Sequence, residues 1–109
     1  MAANKPNYTV KNVEVVIAGA DVQARVFTLA PGDSIPWHHH SDITDHYFVL
    51  RGLLSIRTRN PDGEFELGIG DRHHIMPGTA HLLLNTGAVD CQFLLLQGGG
   101  KYDWIKSKD

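Results

Sequence analysis

The chain has 109 residues, 42% of them hydrophobic, and its ten Lys and Arg against twelve Asp and Glu give a formal charge of −2. That length supports one modest core and is too short for two ordinary domains, so a single domain over residues 1–109 is expected. The scattered basic residues argue against nucleic acid or an anionic membrane as partner, and apolar runs such as Phe93-Leu94-Leu95-Leu96 fall far short of the roughly 20 residues that span a bilayer.

At the N-terminus, Met1 to Asn7 carry Lys5 and Pro6 but no apolar stretch of a secretory leader. The single Cys91 has no partner for an internal disulfide, which fits a reducing compartment and makes the cytoplasm the expected location. Beyond this, turn signals recur at short intervals: Gly19-Ala20-Asp21, Pro31-Gly32-Asp33, Gly52, Asn60-Pro61-Asp62-Gly63, Gly70-Asp71, Pro77-Gly78, Asn85-Thr86-Gly87 and Gly98-Gly99-Gly100. Between them lie segments rich in Val, Ile, Leu, Thr and Phe: Val13 to Ile17, Val22 to Leu29, Tyr47 to Leu50, Leu53 to Thr58, His81 to Leu84 and Cys91 to Gln97. Many short strands with regular punctuation predict an all-β sandwich or barrel. Alternation along Leu54 to Arg59 puts Leu54 and Ile56 on one face and Ser55, Arg57 and Arg59 on the other, and the following loop links it to Glu64 to Leu67 as a hairpin. The tail from Lys101 to Asp109 is read either as a last edge strand or as a frayed end.

The run Trp37-His38-His39-His40, followed by Asp45 and answered downstream by His81, reads as a metal site. Imidazoles at i and i+2 share a face only on a strand, so His38 and His40 can converge while His39 points away. The spacing around them resembles the cupin family in two places. The first cupin motif is matched by Gly32, His38, His40, Asp45 and Gly52 over residues 32–52, with Asp45 where the family usually has Glu. The second is matched by Gly70, Gly78, His81 and Asn85 over residues 70–85, with Met76 at the family's Pro position and Pro77 displaced by one.

This resemblance implies a double-stranded β-helix, or jelly-roll β-barrel, that holds one divalent transition metal inside. By matching positions, His38, His40 and His81 are the nitrogen ligands and Asp45 the oxygen ligand. Imidazole and carboxylate suit first-row divalent ions, and a His-rich site accepts iron, nickel, zinc, manganese or copper according to supply. Asp45 is one methylene shorter than Glu, so it either shifts inward to ligate, binds through water, or acts as a base beside the ligands. The ligand inside the barrel is expected to be a small organic molecule. The chain is then either a metal-dependent dioxygenase, isomerase or cyclase, in which the metal polarises a carbonyl or enolate or binds dioxygen, or a non-catalytic metabolite- or metal-binding module.

Strand parity sorts the remaining candidates. Asp45, Tyr47 and Val49 face the lumen, whereas His46, Phe48 and Leu50 face out, as do His39 and Trp37. One of His73 and His74, on the strand between Gly70 and Met76, points inward; with Tyr47 they are the candidate catalytic proton carriers. Gln23 and Arg25 share parity with Phe27, and if that face is the lumen they can bind an anionic or carbonyl-bearing ligand. Cys91 reads as a small core residue. No phosphate loop, nucleophile elbow or paired cysteines occur. Outward Phe48, Leu50, Leu82 and Leu84 need covering, so a homodimer is expected.

Overall fold

The computed structural model describes residues 8–107; the expectation for Met1 to Asn7 falls outside them. The segments rich in β-branched and aromatic residues form strands β1 (Asn12–Ala18), β2 (Val22–Leu29), β3 (Ser34–His39), β4 (Thr44–Arg51), β5 (Leu54–Arg59), β6 (Gly63–Leu67), β7 (Arg72–Ile75), β8 (Ala80–Leu84), β9 (Cys91–Gly98) and β10 (Ile105–Lys106). Among the described residues there is no helix, hence none long and apolar enough to cross a membrane. The strands build two five-stranded sheets, ordered β1-β2-β9-β4-β7 and β10-β3-β8-β5-β6, in which every pairing is antiparallel. Apart from β1–β2 and the β5–β6 hairpin, neighbours in the sheets are distant in sequence, as in a jelly roll. The tail contributes β10, which pairs Ile105 with His39 and Lys106 with His38 at the edge of the second sheet.

The inner faces fill one end of the barrel with apolar side chains. Phe27 stacks on Phe93 across the β2–β9 ladder with ring centroids 5.2 Å apart, and Leu54, Ile56, Leu83 and Cys91 are buried with them. Burial pushes the Cys91 thiol up to about 11, in keeping with its place in the core. Leu54 and Ile56 point inward as their alternation requires. Ser55 lies on the opposite side yet is also buried, because its hydroxyl donates to the Glu66 carboxylate and sits 3.2 Å from Thr86 Oγ1. Of the expected outward residues, Leu50 is exposed, while Phe48, Leu82 and Leu84 are half-buried. Trp37 also faces out, half-buried under the Arg59 guanidinium, whose carbon is 3.7 Å from the ring centroid.

Backbone hydrogen bonds stitch the two histidine-bearing stretches together. Gly32 N–H donates to Asn85 O at 2.9 Å, Asn85 N–H to Asp33 O at 3.1 Å, and Gly78 N–H to His40 O at 2.7 Å. The Asn85 side chain donates to Leu29 O and Val89 O at 2.9 and 2.8 Å and accepts from Gly87 N–H at 2.9 Å, so a buried amide is satisfied by main chain. It positions the barrel and takes no part in the cavity.

Gly32 and Gly52 both have positive φ, at 88° and 73°, but their surroundings differ. A Cβ on Gly32 would meet nothing within 4 Å, whereas one on Gly52 would lie 2.5 Å from Asp90 O. Gly32→Ala is therefore expected to cost about 1 kcal/mol, the conformational penalty alone, and Gly52→Ala about 3 kcal/mol or more, read from urea unfolding midpoints. Cys91 is expected to resist a thiol reagent in the native protein at neutral pH and to react fully in urea; rapid native labelling would place it outside the core.

Candidate metal centre

Alternation along β3 breaks at a bulge between Ile35 and His38, so both side chains are buried although three residues apart. From His38 the two-residue period resumes and brings His40, just past the end of β3, to the same side. His38 is paired directly with His81 of the neighbouring β8. Three imidazoles thus project from one sheet, and Asp45 on β4 meets them from the facing sheet. One ligand atom from each of His38, His40, Asp45 and His81 lies within 4.8 Å of all the others, and all four residues are buried.

The main chain fixes how the rings present themselves. His38 Nδ1 is 2.8 Å from Pro36 O, His40 Nδ1 is 2.5 Å from Asp103 O, and His81 Nδ1 is 2.9 Å from Thr79 O. A carbonyl oxygen can only accept, so each Nδ1 carries a hydrogen and, in the neutral ring, each Nε2 offers a lone pair. His40 Nε2 and His81 Nε2 lie 3.3 and 3.2 Å from Asp45 Oδ2 but neither makes a well-formed hydrogen bond, and both are buried without a partner. The carboxylate is already engaged on both oxygens: Tyr47 O–H donates to Oδ2 at 2.7 Å, and Gln97 Nε2 donates to Oδ1 at 2.9 Å.

Such an arrangement of acceptors facing acceptors suits a cation. Two ligand atoms each about 2.1 Å from one ion stand about 3.0–3.4 Å apart at octahedral or tetrahedral angles, which brackets the observed spacing of Asp45 Oδ2 from the two rings. The missing methylene of Asp45 therefore does not keep its carboxylate from the Nε2 atoms of His40 and His81.

Electrostatics separates the four groups. Burial, with His81 beside it, lowers the His38 pKa to about 2, so this ring stays neutral at physiological pH. Burial would also lower His40, but the Asp45 carboxylate outweighs it and raises the pKa above 6.5. Burial would raise Asp45, but the His40 and His81 rings hold it well below the usual carboxylate range. Tyr47 is fully buried, and burial together with Asp45 pushes its hydroxyl well above 10, so it remains a donor to the carboxylate.

The structure brings His38, His40, Asp45, His81 and Tyr47 together but leaves His73 and His74 apart. Alternation on β7 turns His73 and Ile75 inward, and it is Ile75 that stands opposite Asp45. His73, opposite Tyr47, packs its ring on Phe65 at 4.2 Å. His74 is exposed and faces His46 across the ladder at 6.0 Å. Neither lines the cavity in front of the cluster.

That cavity also shows what the sequence reading underused. Gln97 occupies the inward row of Cys91, Phe93 and Leu95, opposite Asp45, and a polar residue continuing an apolar row was the available signal. Arg25, on the lumen side as its parity with Phe27 allows, donates from Nη2 to Gln97 Oε1 at 2.5 Å. Tyr8, Tyr102 and Trp104 cover the remaining side, with Trp104 stacked on His38 at 4.9 Å. Two aromatic residues in a charged tail gave no hint of this position.

The comparisons agree with this fold. The family described as "Cupin domain" matches residues 25–97. No curated protein sequence matches the chain. Among solved structures, the chain is similar to an uncharacterized conserved protein with a double-stranded beta-helix domain from Klebsiella pneumoniae, with a TM-score of 0.79, 23% identity, and 98% of this chain and 93% of that one covered. It is also similar to a recombinant oxalate oxidase in complex with glycolate, at TM-score 0.72 and 20% identity over 79% of this chain and 46% of that one. The DMSP lyase DddQ from Ruegeria pomeroyi aligns at TM-score 0.76 and 18% identity over 88% of this chain and 51% of that one. At these identities the likeness is one of fold, and the chain spans about half the length of the two enzymes. With a family match over residues 25–97 and a double-stranded β-helix around a buried His/Asp cluster, the chain belongs to the cupin family.

Proposed function

We propose that the chain is a single-domain, divalent-metal-binding cupin that binds or transforms a small organic molecule inside its barrel. The observation that carries this reading is the convergence of buried, unpartnered His40 Nε2 and His81 Nε2 with His38 on the Asp45 carboxylate. A divalent ion bound there supplies Lewis acidity toward a carbonyl or enolate, or redox chemistry where the metal is iron, copper or manganese. The protein's own residues do the rest. Tyr47 and Gln97 orient the carboxylate, the three backbone carbonyls orient the rings, and Tyr102 with Trp104 covers one side of the cavity.

A metal-dependent dioxygenase, isomerase or cyclase fits this frame. Tyr47 is the candidate proton carrier in contact with the cluster. His73 and His74, set apart from the cavity, can serve only if the substrate reaches them. The same separation favours a non-catalytic metabolite-binding module as the second reading. Purified protein is expected to carry about one transition metal per chain by elemental analysis. His81→Ala is expected to weaken binding by more than about 100-fold in chelator competition, and Tyr47→Phe by about 10-fold, since it loosens a carboxylate it does not replace. Metal-free protein that takes up none on titration would defeat the reading.

β1 supports a homodimer. This strand is an edge of its sheet, and its apolar side chains are exposed on both faces, with Val15 at 61% and Ile17 at 62%. Light scattering is expected to give twice the 12.1 kDa chain mass, and Val15→Lys with Ile17→Lys to shift the protein to monomer.

A further inference from the structure

Each residue of the His38-His39-His40 run touches the stretch from Lys101 to Ser107. Trp104 stacks on His38 with ring centroids 4.9 Å apart, Ser107 Oγ lies 2.9 Å from His39 Nδ1, and Asp103 O accepts from His40 Nδ1–H at 2.5 Å. β10 pairs with the same strand opposite His38 and His39, and the Ser107 N–H donates to Trp37 O at 3.0 Å. Two of the three side-chain contacts bear on rings of the buried cluster. His39 points away from that cluster, and its partner is the stretch itself.

The fastenings of the stretch are few and face water. Its regular pairing is two residues long. The Asp103 carboxylate accepts from the Ser41 N–H at 2.9 Å and from the Ser41 hydroxyl, and the Lys101 N–H donates to Asp42 at 3.1 Å; all three bonds are exposed. Just before Lys101, the Gly98-Gly99-Gly100 run ends in a close approach, because a Cβ on Gly100 would collide with Asp42. Closure also carries a cost, since the Trp104 indole N–H is buried with no acceptor. A segment held by a two-residue strand and exposed hydrogen bonds opens at a lower free energy than the barrel to which it is attached.

Opening it would take Asp103 O from His40 and Trp104 from His38 in one movement. We propose that residues 101–107 form a strap over the metal centre, whose opening gates exchange of the ion and whose closure is coupled to metal occupancy. This rests on the metal-binding reading. With its Nε2 ligated, the His40 ring is a stronger Nδ1–H donor to Asp103 O, so occupancy favours closure. By linkage, closure favours occupancy by the same factor. Asp103 is then a positioning residue, acting on the ion through His40, and Ser41 holds Asp103 in place.

The test uses the full-length protein, zinc-loaded and metal-depleted, with two readouts: tryptic cleavage after Lys101, followed by mass, and the rate of zinc release into excess chelator. Cleavage after Lys101 is expected to be about fivefold or more slower with zinc bound, while cleavage after Arg57, in the middle of β5, stays far slower than either. Asp103→Ala keeps the carbonyl and removes the fastening to Ser41, and is expected to speed zinc release by about fivefold or more. Ser41→Ala, an exposed change that tests the same fastening should Asp103→Ala fail to fold, is expected to speed it by about twofold or more, and Ser41→Thr, which keeps the hydroxyl, to restore it. Zinc bound with no effect on cleavage after Lys101, release unaltered in both alanine variants, or cleavage after Lys101 and Arg57 at one common rate overturns the strap and leaves the metal reading standing. Full-length protein that takes up no zinc or other divalent transition metal sinks both.

Discussion

Everything about the centre depends on which nitrogen of each ring carries the hydrogen, and the backbone decides that. Pro36 O, Thr79 O and Asp103 O each engage an Nδ1. These carbonyls come from three different places: β3 itself, the turn before β8, and the C-terminal stretch that crosses the barrel mouth. Each therefore turns an Nε2 lone pair toward the interior, and Asp45 arrives from the other sheet with a charge that burial makes expensive. Four acceptors pointed at one buried spot repel one another unless a cation or a proton joins them. The raised pKa of His40 and the lowered pKa of Asp45 accord with a proton shared between them, and a divalent ion would meet the same demand with more charge.

Asp45 also explains why the surrounding polar residues are where they are. A shorter carboxylate must be held forward, and it is clasped on both oxygens, by Tyr47 two residues along its own strand and by Gln97 across the ladder. Gln97 is in turn gripped by Arg25 and by Gln23, whose Nε2 donates to its Oε1 at 3.2 Å. This buried network is complete at Asp45 and incomplete at its outer end, where Arg25 retains an unmatched N–H. The imbalance lies at Arg25, a residue that lines the cavity.

The parts of this site that were legible in the sequence are those governed by local rules. Period-two alternation separated His38 and His40 from His39, and Asp45 and Tyr47 from His46, without knowledge of the partners. The spacing from Gly32 to Gly52 and from Gly70 to Asn85 carried the rest of the cluster, because two stretches in register are hard to match by accident. Decisions made between sheets were not legible. Parity required one of His73 and His74 to point inward without saying which; the β4–β7 register makes it His73 and puts Ile75, not His73, opposite Asp45. The tail pattern allowed an edge strand, and β10 is one. Nothing local, however, announced that the residues just before it would roof the cavity and that Asp103 would hold His40.

That last contact limits how the cavity can open. Asp103 is fastened to Ser41 through both carboxylate oxygens, its carbonyl holds the His40 ring, and the Lys101 N–H donates to Asp42 at 3.1 Å. Lifting the whole stretch would release His40 and dismantle the cluster that makes the cavity worth entering. Rotating the Tyr102 and Trp104 side chains while the Asp103 backbone stays fixed opens space and leaves the ring in place. An occupant small enough to be admitted by side-chain rotation alone is therefore compatible with an intact centre, and a bulky one is not. The wiring of His40 to the roof restricts the size of what the barrel can take.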